Sequence, residues 1–562
     1  MRQSMNSSVT FSEPGPVGAT EPRTPGQPSG ASRLERIMPL VVFLSCLAYL
    51  CIPLRYSSLE PDEGIVFQGA ERVLHGQVPY RDFFSFYTPG SFYFLALLFR
   101  TFGDSFMVAR SSIAFAGAIC SVLTYLLARR ICTRGIALFA AVLATIAGTG
   151  FRFLVLHNWY STLLSCLALY AALRFLESAK SVWAFASGLC ASSTFLFEQS
   201  KGAGLCLGLG TGILILHFGD RMIRLRKSAV IGTTLGVAAP LLATFAYFAA
   251  HHTTSIMVQS WIWPLRHYMQ ANHVPYGFQN WSDSSRAAIF HAGPFWARLV
   301  KIVAVSPNLL IPVLPLIAVG LLAHVGAQIW RRKNVPRNVE YYVLVCSTLS
   351  GLLASILISR ADILHFIYLA PLLYLVLAWI LQPSDFHSRL LSAARPYLIL
   401  YVGTAFGLLG LAVLLTATGN HSRIETRRGA ITTGGKDTVI EYVQSHVAPG
   451  SELLVYPYLP LYNYLTATHS PSRYDYFQPG MNTRQQALEI VASLESQHSR
   501  AVLFEPWFAE KIANSWPGTP LSAIADDPVA DYIVRNYRVC QMLSSPDGWR
   551  FHYMVRKEDA CP

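Results

Sequence analysis

Long apolar runs separated by short polar stretches repeat along the first three-quarters of the chain. Runs at 38–54, 106–127, 136–153, 154–173, 182–197, 203–218, 229–249, 299–330, 341–358, 365–381 and 396–416 have the length and apolarity of membrane-crossing helices. The pattern predicts an α-helical polytopic membrane protein with about eleven transmembrane helices. A further apolar piece at 92–99 is too short to cross and predicts an interfacial or re-entrant helix.

Charge adds a direction to this pattern. Arg33 and Arg36 precede the first run, and Arg129–Arg130, Arg174 with Lys180, 221–227, 331–337, and Arg389 with Arg395 fall in every second connection. Basic residues on one side mark it as cytoplasmic, which puts the N-terminus inside and everything after about residue 418 outside. Of 562 residues, 52% are hydrophobic and only 13% charged, about half the charge of a soluble chain. The net charge of +13 follows the topology and forms no binding stripe, which argues against a nucleic-acid partner. Residues 1–32 are rich in Pro, Ser, Thr and Gly and predict a disordered cytoplasmic segment without the pattern of a signal peptide. The expected organisation is therefore 1–32 disordered, 33–418 transmembrane with a first external loop at 55–105, and 419–562 a small extracytoplasmic α/β domain. In that last part 437–447 has helical spacing, and 453–456, 501–504 and 551–555 read as short strands. Eight of the ten cysteines lie in or beside apolar runs; Cys540 and Cys561 are the exceptions and are free to pair if that part is outside.

The most polar piece of the first half runs from 59 to 93. Pro61 suits the first position of a helix, and Asp62 and Glu63 its first turn. Val66, Ala70, Val73 and Leu74 share a face, so an amphipathic helix at the bilayer surface is expected, ended by Gly76. The order Asp62-Glu63-Gly64, Val78-Pro79-Tyr80-Arg81-Asp82, Pro89-Gly90 and Phe102-Gly103 resembles the first external loop of GT-C glycosyltransferases. The nearest branch is the bacterial one related to aminoarabinose transferase and protein O-mannosyltransferases. The resemblance implies a GT-C fold in a bacterial cytoplasmic membrane. It also implies transfer of a sugar from a polyprenyl-phosphate carrier to a glycan, lipid or protein acceptor outside.

By that resemblance Asp62 corresponds to the catalytic base, and a carboxylate held against an acceptor hydroxyl has the chemistry for it. Glu63, its neighbour, does not share its helix face and is assigned to acceptor binding or to orienting a partner. For the departing phosphate the outer-side cations are Lys201, Arg360, Arg81 and His365, with Arg152 more simply a boundary residue. Lys201 in EQSKG and Arg360 in SRADILH echo short motifs of the family. The family's aminoarabinose branch has a Lys-Pro-Pro run in this loop; here Tyr87-Thr88-Pro89-Gly90 carries no lysine. Arg81 or Lys201 then supplies that charge, or the donor sits differently. A divalent metal with Asp62, Glu63 and Asp362 as oxygen ligands is a further option. No other cofactor pattern is evident, and the glycines of 202–212 read as close helix packing. The dense outer aromatics read as a membrane belt (Trp261 to Trp296) and a small-domain core (Tyr456 to Tyr476). Two other classes fit the hydropathy: a transporter or lipid flippase, and a polysaccharide polymerase or ligase working through the long 251–296 loop.

Overall fold

The computed structural model describes residues 33–219, 226–331, 338–383 and 389–562. The segment expected to be disordered (1–32) and parts of the basic connections, 220–225 and 332–337, lie outside the described residues. Eight helices among the described residues are long and apolar enough to cross a membrane, including Phe106–Ala128, Gln199–Phe218 and Val339–Ser359. Shorter apolar helices at Arg134–Thr149, Ser181–Phe197 and Ala370–Leu381 coincide with three more expected runs.

In chain order the first nine helices are α1 (Arg33–Cys51), α2 (Pro61–Leu74), α3 (Gly90–Phe102), α4 (Phe106–Ala128), α5 (Arg134–Ala144), α6 (His157–Ser178), α7 (Ser181–Phe197), α8 (Gln199–Phe218) and α9 (Lys227–Ala250). The short apolar piece at 92–99 is thus part of a 13-residue helix, α3. The glycines in α8 allow backbones to touch: a Cβ on Gly204 would lie 2.4 Å from the Gly351 carbonyl, and one on Gly208 2.5 Å from that of Ser347.

Two expected runs are interrupted. The apolar residues of 136–173 read as two abutting spans, but α5 passes into a π turn at Thr145–Thr149 and helix resumes only at His157. The intervening backbone, 150–156, is free to bind side chains. Residues 299–330 divide into Phe295–Val305, Pro307–Leu310 and Val313–Trp330, because Pro307 and Pro312 lack the N–H that continues a helix.

After the Arg389–Thr418 helix the chain forms the α/β domain. A hairpin, β1 (Ser422–Thr426) with β2 (Gly429–Thr433), precedes a sheet of β3 (Leu454–Tyr456), β4 (Ala501–Phe504), β5 (Tyr537–Ser544) and β6 (Arg550–Arg556) in the order β3-β4-β6-β5. β3 and β4 are parallel and the other pairs antiparallel. Sequence reasoning found β3, β4 and β6 but missed β1, β2 and β5. β5 is half exposed and lacks a clean apolar alternation. Cys540 on β5 is bonded to Cys561.

The α/β domain does not hang free. Ser57 N–H bonds the Thr432 carbonyl at 2.9 Å and Phe84 N–H the Arg473 carbonyl at 2.8 Å. Arg72 pairs with Asp475 at 2.7 Å, and Arg428 with both Glu71 and Asp104. Gly64 sits so close to Leu461 that a Cβ there would lie 2.2 Å from its backbone nitrogen. Helix α2 is therefore buried from Glu63 to Arg72. This corrects the expectation of a helix with one face in water: the polar face is covered by the domain, where Glu71 and Arg72 find their partners.

Candidate active site

Glu60, in extended conformation, and Pro61 start α2. Successive helical residues diverge by about 100° around the axis, so Asp62 and Glu63 face different surroundings. Glu63 is fully buried; it accepts from Arg110 Nη2 at 2.7 Å and from Val155 N–H at 2.8 Å, on the irregular stretch before α6. Of the two expected roles, acceptor binding or orienting a partner, these contacts fit the second: Glu63 ties α2 to α4 and to the 150–156 backbone.

Asp62 turns toward the outer domain, and its Oδ1 accepts from the Tyr458 hydroxyl at 2.8 Å. Glu60 stands beside it, and Glu198 and Asp362 share the Tyr268 ring with it, each of these three acids with its own basic partner. Glu60 pairs with Arg152 at 3.0 Å, Glu198 with Lys201 at 2.9 Å, and Asp362 with Arg360 and His365, both at 2.6 Å. Asp62 alone of these has no ion pair among the described residues. Burial pushes its carboxyl above the usual carboxylate range, opposed by the charge of Arg152, the Tyr458 hydrogen bond and the charge of His365. Burial also raises Asp362, but His365 and Arg360 outweigh it and hold that carboxyl well below the ordinary range. The pair of acids thus has opposite characters, one free to take a proton and one locked as an anion.

The two cations ranked first for phosphate are both engaged. Lys201 is 2% exposed, and its ammonium donates to the Asn158 carbonyl, Ser161 Oγ and Thr162 Oγ1 at 3.0–3.2 Å besides pairing with Glu198. Three N–H donors are thereby used. Arg360 donates to Asp362, to Asn272 at 3.2 Å, to Asn280 at 2.8 Å and to the Ser515 carbonyl. Each of the two side chains thus has protein partners of its own in the folded chain. Arg81 is exposed and paired with its neighbour Asp82 at 2.8 Å, beside Tyr93 and Tyr247 and apart from this cluster. His365, bonded to Asp362, is partly exposed and faces Asp62.

Sequence reasoning placed Arg152 at the boundary; the structure brings it beside Asp62 and Tyr368. A cavity of about 300 Å³ ends at this arginine, walled by Pro53, Tyr56, Phe151, Leu409 and Val413. Also missed were the surrounding aromatics. Tyr87 lies 4.3 Å from the His157 ring, Phe86 stacks on Trp263 at 5.3 Å, and Tyr268 and Tyr476 complete the group. Trp263 and Tyr268 of the outer aromatics thus wall this site through Phe86, while Tyr456 serves the domain core. The density of tyrosine was the available signal, but spacing does not say which rings meet. Of the three acids considered for a divalent metal, Glu63 is bonded to Arg110, Asp362 to Arg360 and His365, and Asp62 to Tyr458. No cluster of three His, Cys, Asp or Glu suited to a metal occurs among the described residues.

The family model for dolichyl-phosphate-mannose-protein mannosyltransferases matches residues 87–263, a stretch that holds Arg152, Glu198 and Lys201 but not Asp62. Among solved structures, ArnT from Cupriavidus metallidurans in the apo state is 12% identical and covers 92% of this chain and 97% of its own, with a TM-score of 0.52. The same protein bound to undecaprenyl phosphate gives 11%, 94%, 100% and 0.51. The archaeal oligosaccharyltransferase AglB from Archaeoglobus fulgidus, in complex with an inhibitory peptide and a dolichol-phosphate, gives 11%, 94%, 75% and 0.49. No curated protein matches the sequence significantly. The chain is therefore a multi-pass membrane protein with the fold of ArnT, and residues 87–263 within it match the mannosyltransferase family model.

Proposed function

We propose that the protein transfers a sugar from a polyprenyl-phosphate carrier to an acceptor hydroxyl on the outer side of a bacterial cytoplasmic membrane, with Asp62 as general base. The observation that carries this reading is the charge pairing: Asp62 is the one acid of its cluster left without a cation, fixed by a neutral hydroxyl and partly open. As the acceptor oxygen attacks the anomeric carbon, Asp62 takes its proton. The bond from that carbon to the phosphate oxygen breaks, its electron pair stays with the phosphate, and single displacement inverts the centre. Arg152 and His365, the basic side chains that face the base, join Lys201 and Arg360 as the groups placed to meet the departing phosphate. The apolar cavity that ends at Arg152 suits the adjoining part of the carrier chain.

The tie between Cys540 and Cys561 supports the outer placement of the α/β domain, because such bonds persist on the oxidising side. Asp62 is bonded to that domain and shares its side. The gathering of charged groups at one end of the helices favours transfer over a transporter, which needs a path through mid-bilayer. Against a polymerase centred on the 251–296 loop, Arg266 is exposed, and the loop contributes Trp263 and Tyr268 as walls. The test is purified protein in vesicles with polyprenyl-phosphate hexoses and pentoses, product read by mass spectrometry. Transfer that is lost in Asp62→Asn supports the reading; turnover with nucleotide sugars only would overturn it.

A further inference from the structure

The hydrogen bond from Tyr458 to Asp62 spans 396 positions of sequence and joins the outer domain to the first loop. Tyr458 follows β3 by two residues, and its ring is wedged among Tyr476, Phe508 and Trp516, with the Trp516 ring at 5.2 Å and nearly perpendicular. Trp516 follows Ser515, whose carbonyl accepts from Arg360 of the membrane part. Three residues beyond Tyr458, Leu461 seats against Gly64 of α2. The hydroxyl is thus held from both domains. Burial and the charge of Asp62 push its own ionisation far up, so it remains a donor.

We propose that Tyr458, delivered by the outer domain, is a positioning residue of the transfer centre. It holds Asp62 by one carboxylate oxygen and leaves the other to take the acceptor proton. The proposal rests on the reading of Asp62 as base. A hydroxyl that donates to a carboxylate stabilises the anion, so its removal makes Asp62 harder to ionise. The other groups that face Asp62 are Glu60 before α2, Arg152 on the stretch before α6, and His365 after the Val339–Ser359 helix. The tyrosines Tyr87, Tyr268, Tyr368 and Tyr476 surround it as well. All of them stay in place when only the Tyr458 oxygen is removed. The α/β domain is then part of the centre, and acceptors meet a site built from both halves.

The experiment uses the full chain in vesicles with Tyr458→Phe. The infrared carbonyl band of protonated Asp62, assigned by its loss in Asp62→Asn, is followed against pH, which needs no substrate. In Tyr458→Phe the band is expected to persist to higher pH than in the wild type. In the transfer assay the acid limb moves the same way and kcat at neutral pH falls about tenfold, with donor KM unchanged. Tyr456→Phe is the control for a damaged domain, because the Tyr456 hydroxyl donates to Asp527 inside it at 2.7 Å. That variant lowers thermal stability and leaves the titration of Asp62 alone. An identical titration in Tyr458→Phe and wild type, or an equal displacement in Tyr456→Phe, overturns the proposal. Turnover in Asp62→Asn would remove the base itself, while the infrared arm still decides whether Tyr458 holds that carboxylate.

Discussion

Replacing the two neighbouring acids of α2 one at a time separates a chemical role from a structural one. Asp62→Asn keeps the shape, and the Tyr458 hydroxyl can still donate to the amide oxygen, but the group no longer accepts a proton. Loss of a general base costs roughly 10²–10⁴-fold in turnover. Stability should not suffer. Burial raises the Asp62 carboxyl, so the folded protein prefers its neutral form. That contribution is full at low pH and is lost as pH rises through the folded ionisation. Asparagine is neutral throughout, so the variant at neutral pH unfolds at the same temperature as the wild type or higher. Glu63→Gln should do the opposite. Its partner Arg110 is 2% exposed and would keep a buried charge without its counterion, a loss of about 3–5 kcal/mol. That is a large part of an ordinary folding margin of about 5–15 kcal/mol. The assay is paired: detergent-solution unfolding by intrinsic fluorescence, and transfer per folded molecule from a polyprenyl-phosphate sugar. For the wild type the rate should rise with pH as Asp62 loses its proton. A stable but inactive Glu63→Gln beside an active Asp62→Asn would refute the assignment of both residues.

Lys201→Met should lower the yield of folded protein by leaving Glu198 without its counterion, and adding Glu198→Gln should restore it; fluorescence-detected size exclusion reads both. Arg152→Gln, which removes the pair with Glu60 and the contact with Tyr368, should raise the donor KM by about tenfold or more, with a smaller loss of unfolding temperature than in Glu63→Gln because Glu60 keeps access to water. Gly64→Ala drives a Cβ into the Leu461 backbone and should cost about 1–3 kcal/mol, seen as faster limited proteolysis between α2 and the outer domain. Opening the Cys540–Cys561 bond, which spans 21 residues, should cost the α/β domain about 3 kcal/mol. Alkylation of cells before and after reduction would read whether both thiols are masked, and thus the side on which the domain lies.

The long apolar helices, the start of α2 at Pro61, and the short strands at 454–456 and 501–504 were all legible in the sequence. Each follows from local properties: the length of an apolar run, the fixed φ of proline, and alternation along a strand. Which charges cancel was not legible. Lys201, Arg360 and Glu63 looked available on a list of outer-side residues, but each finds an opposite charge, and Arg110 lies 47 residues from Glu63. Pairing depends on distances of a few ångströms between segments far apart in the chain, and low-polarity surroundings make every unpaired charge costly. Only the folded arrangement could decide that Asp62 is left over, that Arg152 stands beside it, and that a tyrosine of the last domain reaches back to hold it.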